Sequence, residues 1–395
     1  MALIKKPVNG MKDVMPDEMA VRNYVIDMIR KTYAAFGFSS IDTPAVEHIE
    51  NLLSKQGGDN EKLIFKILKR GEKLHLDTAE TEADVTDSGL RYDLTLPLSR
   101  YYANHANELP APFKALQIGP VWRADRPQRG RFRQFTQCDI DILGEGSCLA
   151  EIELILATST ALMNMDFSDF TIRINDRRIL KDMAKNAGFE EAQYDSVFIT
   201  LDKMDKIGED GVKAELTEKF SAELAESFMN VFKEAGPAYD LPLIMSAVDQ
   251  LKTGDFKIVF DPTLVRGMSY YTGPIFEISM DGFGGSVGGG GRYDGMIGKF
   301  TGQETPACGF SIGFERIIML LMEKGFKVPG SEEKIAFLVE KKMPGERLTE
   351  VLAEAQALRA QGKNVSVNIM KKNRKFQKDQ LIAEGYTEIK EYFNG

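Results

Sequence analysis

The chain has 395 residues, of which 43% are hydrophobic and 28% are charged, so it is long enough for two or three domains with buried cores. Its formal net charge of −9 argues against a general nucleic-acid binder, although a local basic patch still suits a large RNA partner. No long uncharged apolar run or secretory signal is present, which predicts a cytoplasmic protein with no membrane contact. The three cysteines and three histidines lack metal-ligand spacing, so no metal site of its own is expected. No DNA partner is expected either.

Short elements alternate through the first hundred residues. Residues 17–36 predict an amphipathic helix, because Val21, Val25 and Ile29 recur at helical spacing. The segments after it are predicted to be, in chain order, a strand at 39–43 closed by Pro44, a hairpin at 63–76 with its turn at 69–72, an acidic loop at 77–89, a strand at 90–95 that presents Asp93, and a helix opened by Pro97.

Residues 114–142 form the most informative stretch of the chain. A predicted strand at 114–122 leads into a basic loop that carries five arginines between 123 and 133, and the chain then returns as a second strand. Because side chains alternate along a strand, one face of the second strand carries an aromatic ring, an amide and two carboxylates, from Phe135, Gln137, Asp139 and Asp141. Beside five cations, this face suits a nucleotide together with a charged small molecule.

Between residues 148 and 255 the pattern is largely helical, with one strand near 171–176. Strand signals return at 257–280, and a turn at 281–285 leads into the next strand and its glycine-rich run. The run lacks the terminal Lys-Ser/Thr of a P-loop, so it predicts either close backbone approach to a ligand or a flexible turn. Gly309 then begins a strand that leads into the helix carrying Arg316.

A linker signal at 327–331 separates the last part of the chain from the rest. Beyond it, strands and helices alternate, which predicts a small α/β module. The predicted elements are a strand at 335–339, a helix at 346–360, a strand at 364–369 and a helix at 374–384.

Several of these segments resemble the motifs of one enzyme family. Residues 123–142 resemble motif 2 of the class II aminoacyl-tRNA synthetases, in its histidyl-tRNA synthetase form. Residues 264–273, which read Leu-Val-Arg-Gly-Met-Ser-Tyr-Tyr-Thr-Gly, resemble the histidine-specific motif of that family. Residues 288–295 and 309–316 resemble its glycine-rich strand and motif 3. The resemblance covers nearly the whole chain, with the motifs in the family's order and spacing.

The resemblance implies an α+β fold with two parts. Residues 1–325 are expected to form a class II catalytic domain, whose mainly antiparallel sheet is flanked by helices and which holds a helical insertion at about 180–250. Residues 332–395 are expected to form the beginning of an anticodon-binding domain. That domain usually adds further strands, so about one third of it is expected to be missing.

The resemblance also implies an activity. A histidine–tRNA ligase activates L-histidine with ATP and Mg²⁺, and then transfers histidine to the 3′ end of histidine tRNA. It works as a homodimer whose interface, motif 1, corresponds to residues 36–53 here. The attacking carboxylate is already ionised, so catalysis rests on positioning and on fixed cations around the phosphate rather than on a general base.

The family motifs assign roles to particular residues of this chain. Those roles are catalysis on the α-phosphate by Arg123 and Arg266; ATP binding by these two with Phe135 and Arg316; histidine binding by Asp93, Thr95, Gln137, Asp141, Tyr270 and Tyr271; and contact with the tRNA acceptor end by Arg126 and Gln128. Tyr270 and Tyr271 face opposite ways on a regular strand, so one of them is structural unless a bulge turns it. The alternative for each arginine is an exposed surface residue or a structural ion pair. The alternative for Phe135 is an ordinary core residue.

Two departures from the family pattern leave alternatives open. Ser269 stands where most members have Asp, next to the reactive centre, and the C-terminal module is short. One alternative is a non-catalytic, histidine-binding paralogue of the type that regulates ATP phosphoribosyltransferase. Another is an enzyme that forms the adenylate and charges an acceptor other than tRNA. The three motif arginines favour the ligase.

Overall fold

A computed structural model describes residues 3–53, 60–265, 270–280, 284–329 and 333–394. The chain divides into two units, Met1–Phe326 and Lys327–Gly395. The helices are α1 (Pro16–Ala35), α2 (Ile49–Leu52), α3 (Glu82–Val85), α4 (Thr95–His105), α5 (Leu149–Asn164), α6 (Arg177–Asn186), α7 (Tyr194–Leu201), α8 (Met204–Lys219), α9 (Ala222–Glu234), α10 (Leu241–Leu251), α11 (Gly295–Thr301), α12 (Phe314–Glu323), α13 (Gly345–Ala360) and α14 (Arg374–Ala383). Short 3₁₀ turns occupy Asn60–Leu63, Gly71–Lys73 and Glu191–Gln193.

The strands form three sheets. They are β1 (Ser39–Ser40), β2 (Val46–His48), β3 (Lys66–Leu68), β4 (Thr86–Leu90), β5 (Phe113–Trp122), β6 (Gln134–Leu143), β7 (Phe170–Asp176), β8 (Lys257–Phe260), β9 (Pro274–Met280), β10 (Ser286–Arg292), β11 (Ala307–Ile312), β12 (Lys334–Val339), β13 (Asn364–Ile369) and β14 (Glu388–Tyr392). The largest sheet has the order β1-β5-β6-β11-β10-β9-β7-β8. Its two edge strands pair in parallel and the strands between them pair antiparallel. The predicted α+β fold with a mainly antiparallel sheet is therefore confirmed.

Strands β5 and β6 form a long antiparallel pair in this sheet. They pair without a break from Phe113 opposite Leu143 to Trp122 opposite Gln134. The predicted alternation of faces along β6 is confirmed, because Cys138, Ile140 and Ile142 are buried in the core. The opposite face of β6 points away from this core and can line a binding site.

The segment from 63 to 95 was predicted wrongly in three places. No hairpin forms at 63–76, because β3 pairs with β4 (Thr86–Leu90) and not with a strand at 73–76. The predicted acidic loop contains α3 and most of β4; the carboxylate of Asp84 accepts from Thr81 N at 2.8 Å and so closes the first turn of α3. The predicted strand at 90–95 ends at Leu90, and α4 already begins at Thr95. Local periodicity does not show a distant strand partner, so the pairing was missed.

Helices α6 to α10 fill the segment from Arg177 to Leu251. Two of them begin at residues whose side chains cap the backbone: Asp176 accepts from Arg178 N at 2.8 Å, and Ser221 accepts from Leu224 N at 3.1 Å. The helical character of the segment is confirmed. Its assignment as an inserted domain stays a prediction.

The second unit is a three-stranded parallel sheet in the order β13-β12-β14. Strand β12 is apolar on both faces: Ile335 and Phe337 pack with residues of α13, while Ala336 and Leu338 pack with Leu381 of α14. The four predicted elements are confirmed within one or two residues. Strand β14 was not predicted, because its sequence Glu-Ile-Lys-Glu-Tyr is rich in charge, which an edge strand tolerates.

Candidate functional site

A cavity of about 440 Å³ opens on the free face of the eight-stranded sheet, within the first unit. Strands β6, β10 and β11 form its floor, the turn between β4 and α4 forms one wall, and the beginning of α12 forms another. Nine residues proposed for the site from the sequence line this cavity, namely Asp93, Thr95, Arg123, Phe135, Gln137, Asp141, Tyr270, Tyr271 and Arg316. Segments far apart in the sequence therefore meet at one place.

Three proposed residues are not among those that line the cavity. Arg266 lies outside the described residues. Arg126 and Gln128 are exposed on the loop between β5 and β6. Near its tip, Gln128 and Arg131 bond to each other through their backbones at 2.9 and 3.1 Å, and Gly130 adopts a positive φ of 70° to close the turn.

One end of the cavity is built from oxygen acceptors. Asp93, Asp139 and Asp141 are each less than 5% exposed, and Gln137 lies beside them. Each of these residues has one buried oxygen that accepts no hydrogen bond from any described residue, namely Asp93 Oδ2, Gln137 Oε1, Asp139 Oδ1 and Asp141 Oδ2. Buried acceptors normally find donors, so this end of the cavity is suited to a ligand rich in N–H groups.

Burial also perturbs the charge of these carboxylates. Burial raises the pKa of Asp141 to about 7, although the Tyr293 hydroxyl acts in the opposite direction. Burial, followed by the charge of Asp141, raises the pKa of Asp139 well above its ordinary value. Burial likewise raises the pKa of Asp93. A cationic ligand would reverse these shifts, because it favours the ionised carboxylates.

Local contacts aim the two outer carboxylates into the cavity. Asp93 Oδ1 accepts from Leu96 N at 3.1 Å at the start of α4, which fixes one oxygen and leaves the other facing the cavity. Tyr293 Oη donates to Asp141 Oδ1 at 2.6 Å. A Cβ on Gly309 would lie 2.0 Å from the same Asp141 oxygen, so only glycine fits opposite this carboxylate.

The other end of the cavity is cationic and aromatic. Arg123 Nε donates to the backbone oxygen of Tyr92 at 2.8 Å, and its guanidinium lies 5.1 Å from the centroid of the Phe135 ring. Arg316 Nη1 donates to the backbone oxygen of Ser286. Arg131 and Phe132 also line the cavity. Planar cations beside an aromatic ring suit the phosphates and the base of a nucleotide.

The glycine-rich strand β10 lets the sheet close tightly under this cavity. A Cβ on Gly290 would lie 2.0 Å from the backbone oxygen of Gly309 on β11. Gly288, Gly289 and Gly291 line the cavity with their backbones. The run is therefore a strand that needs glycine for its packing against β11, not a flexible turn, while its close approach to a ligand stays a prediction.

A buried ion pair ties the walls of the cavity together. Arg22 of α1 donates to both carboxylate oxygens of Glu315 at 2.7 and 2.8 Å, next to Arg316 on α12. Glu315 also accepts from the backbone N–H of Thr136 at 3.1 Å, on β6 next to Phe135. The two elements that carry the cationic end are thus fixed to each other and to α1.

No group of three or more His, Cys, Asp or Glu side chains with the geometry to hold a metal ion occurs in the described part of the chain. None of the described helices is long and apolar enough to cross a membrane.

Comparison with known proteins decides the family. The sequence model of the histidyl-tRNA synthetase family matches residues 10–317. A histidine–tRNA ligase of Leifsonia xyli subsp. xyli (strain CTCB07) is 44% identical, over 96% of this chain and 93% of that protein. This chain belongs to the histidyl-tRNA synthetase family.

Solved structures agree with that family. A histidyl-tRNA synthetase from Nostoc sp. PCC 7120 has a TM-score of 0.77 at 28% identity, and the match covers 97% of this chain and 90% of that one. A protein from Bacillus halodurans C, described as an ATP phosphoribosyltransferase regulatory subunit/histidyl-tRNA synthetase, has a TM-score of 0.79 over the whole of both chains. At 20% identity, that second likeness shows the fold alone.

Sequence reasoning missed three residues that shape this synthetase-family site. Tyr293 and Gly309 lie in segments identified from the family motifs, but their contact with Asp141 depends on how three strands pair. Glu315 stands directly before Arg316, yet its partner Arg22 is 293 residues away. The sequence showed that Glu315 and Arg316 are adjacent charged residues of the motif. It did not show that Glu315 pairs with Arg22.

Proposed function

We propose that this chain is a histidine–tRNA ligase. It activates L-histidine with ATP to give histidyl adenylate and pyrophosphate, and then transfers histidine to the 3′ end of histidine tRNA. One observation carries the proposal: four buried oxygens that accept no hydrogen bond from the described residues occupy one end of a cavity whose other end holds Arg123 and Arg316. Family membership supports the same activity.

The acceptor end suits histidine. The α-ammonium group and the imidazole ring together bring several N–H donors, and the cavity offers Asp93, Gln137 and Asp141 to them. Asp93, Thr95 and Gln137 hold the ammonium group, and Asp141 with Tyr271 holds the imidazole. Amino acids whose side chains lack a donor leave Asp141 Oδ2 buried without a hydrogen bond, which weakens their binding.

The cationic end suits ATP. Phe135 stacks on the adenine, Arg123 holds the α-phosphate, and Arg316 holds the far end of the nucleotide. Arg266, which lies outside the described residues, is assigned to the α-phosphate from the opposite side. Mg²⁺ enters with the phosphates of ATP.

The reaction needs little proton chemistry. The carboxylate oxygen of histidine attacks the α-phosphorus, the bond from that phosphorus to the bridging oxygen breaks, and the electron pair leaves with pyrophosphate. Negative charge gathers on the phosphate oxygens, and fixed arginines stabilise it without a proton transfer. Loss of one such contact costs roughly 10²–10³ in rate, by analogy with the loss of a single oxyanion donor.

The surroundings of the site suit a tRNA. Arg126 and Gln128 are exposed on the loop between β5 and β6, where they contact the acceptor end. In the second unit, Lys371, Lys372 and Arg374 are exposed together before and at the start of α14, and this unit meets the anticodon arm. We also assign to the chain the homodimer and the cytoplasmic location that are typical of the family.

The alternative of a non-catalytic regulatory paralogue is not favoured. Curated relatives that cover four fifths or more of the chain are histidine–tRNA ligases, at 44% and 37% identity in two cases. Arg123 and Arg316 both line the cavity, where a paralogue that only binds histidine has no need of phosphate ligands.

Histidine-dependent ATP–pyrophosphate exchange tests the proposal. We expect exchange with histidine and with no other standard amino acid. Arg266→Ala and Arg316→Ala should each lower the exchange rate by about 100-fold or more, whereas Arg30→Ala, on the exposed face of α1, should not change it. Histidine binding without exchange would replace the ligase with the regulatory reading, and exchange that survives Arg266→Ala would overturn the assignment of that arginine.

A further inference from the structure

Asp139 is a buried carboxylate in the cavity for which the family motifs give no role. It is 4% exposed and lies on β6 between Gln137 and Asp141, with its side chain on the cavity face. Its Oδ1 accepts no hydrogen bond from the described residues, and its Oδ2 accepts one, from Gln137 Nε2 at 3.3 Å. A carboxylate with a purely structural role would have its donors within the fold.

Neither neighbouring strand supplies Asp139 with a cation. The residue opposite it on β11 is Ser311, whose side chain lowers the pKa of Asp139 by less than burial or the charge of Asp141 raises it. The residue opposite it on β5 is Gln117, whose Nε2 donates instead to the backbone oxygen of Leu94 at 3.1 Å. Arg123 is a nearby cation, but its Nε is already engaged with the backbone of Tyr92. The stronger neighbouring charge is that of Asp141, which repels it. A cation that enters the cavity would favour the ionised form of this carboxylate.

Asp139 also determines how Gln137 faces the cavity. Because the amide nitrogen of Gln137 donates to Asp139, the amide oxygen is left as the group that accepts no hydrogen bond from any described residue. Gln137 is thereby held as an acceptor, as are the buried carboxylates at this end of the cavity. Reversal of the amide would present its N–H groups to an ammonium ion and repel it.

We propose that Asp139 is a third carboxylate of the amino-acid site, which binds the ammonium group of the substrate directly and holds Gln137 as an acceptor for the same group. The inference rests on the proposed function, since it takes the ligand to be histidine. Asp139 is thus a specificity residue for α-amino acids over analogues without the amine, while Asp141 acts on the side chain.

Two histidine analogues separate this role from a structural one. Histidinol keeps the ammonium group and the imidazole and lacks the carboxylate, while 3-(imidazol-4-yl)propanoate keeps the carboxylate and the imidazole and lacks the amine. For Asp139→Asn in the full-length chain, calorimetry should show histidinol binding weakened by about 10- to 100-fold, as expected for a lost charge-assisted hydrogen bond. Binding of the propanoate should be unchanged or tighter, because a nearby negative charge is removed.

A second variant keeps the inference testable if the first one has an indirect effect. Asp139→Asn combined with Gln137→Glu returns a carboxylate acceptor to the position of the amide oxygen, and should recover most of the lost affinity for histidinol. A structural defect would not be rescued in this way. Asp210→Asn, an exposed carboxylate on α8, is the matched control for loss of one negative charge.

The outcomes distinguish this inference from the proposed function. If the wild-type chain binds neither histidine nor histidinol, the proposed function fails. If the wild-type chain binds both and Asp139→Asn binds histidinol equally well, or loses both analogues to the same extent, the role of Asp139 is overturned and the ligase assignment stands.

Discussion

The buried carboxylates at the acceptor end of the cavity lower the free energy of unfolding when they are ionised. Burial raises the pKa of Asp141 from 3.8 to about 7, so the folded chain holds this proton more tightly than the unfolded chain does. The free energy of unfolding therefore falls as the pH rises from about 4 to about 7, and the full penalty remains at higher pH. A rise of this size corresponds to at most about 4 kcal/mol.

Asp141→Asn should remove this penalty while it damages the site. The neutral amide keeps an acceptor for Tyr293 and no longer needs to be ionised in a buried place, so the melting temperature at pH 8 should rise by several degrees over wild type. At pH 4.5 the difference should fall to roughly a quarter of its value at pH 8, because Asp141 is then protonated in the folded chain. Thermal unfolding at the two pH values, with Asp210→Asn as the control, tests this. Equal stabilisation at both values, or a loss at pH 8, would contradict the shifted pKa.

Residue identity predicted the site better than it predicted the contacts within the site. The period of two along β6 placed Phe135, Gln137 and Asp141 on the cavity face, because strand alternation is a local rule. The hydrogen bond from Tyr293 to Asp141 joins residues 152 apart in the sequence, so no local rule indicates it.

At the scale of elements, the Arg22–Glu315 ion pair joins α1 to α12, and Glu315 also bonds to β6. Arg22→Ala would leave the Glu315 carboxylate buried without its cation, which should cost about 3–5 kcal/mol of stability. The exchange rate should fall as well, because Glu315 adjoins Arg316 and bonds to the strand of Phe135. Arg30→Ala, on the exposed side of the same helix, is the control. Thermal unfolding that is equal for the two variants would show that the pair does not stabilise the fold.

The close packing of β11 against Asp141 is a second element-scale feature. Gly309→Ala would place a methyl group 2.0 Å from Asp141 Oδ1 and 3.2 Å from Tyr293 Cε1, so the carboxylate must move. The KM for histidine should rise by about tenfold or more, equivalent to about 1.4 kcal/mol, with little change in the KM for ATP. Gly295→Ala meets no atom within 4 Å and should leave both constants unchanged. A Gly309→Ala enzyme with the wild-type KM for histidine would refute this packing argument.

Elements were predicted well where their signals are local. Helix α1, the β5–β6 ribbon and the elements from β12 to α14 follow hydrophobic periodicity and turn residues. The region from β3 to α4 was predicted wrongly because β4 pairs with β2 and β3, which both come earlier in the chain. A short strand is stabilised by such pairing more than by its own sequence.

At the scale of the whole molecule, the cavity lies within one of the two units. Every residue that lines the cavity belongs to the unit Met1–Phe326, and the second unit has apolar cores of its own. A chain that ends at Phe326 should therefore keep histidine-dependent pyrophosphate exchange within about threefold, while tRNA charging should fall by about tenfold or more. Loss of exchange in a truncated chain that is still folded would place part of the amino-acid site beyond residue 326.

The central claim is that the cavity makes histidyl adenylate for transfer to one particular tRNA. The most direct measurement is the charging of total tRNA by the intact chain with histidine and ATP, followed by periodate oxidation and sequencing of the protected 3′ ends. The account predicts protection of histidine tRNA, with the other tRNAs oxidised as in a reaction without enzyme. Pyrophosphate exchange with no protected tRNA, or protection of a different tRNA, would contradict it.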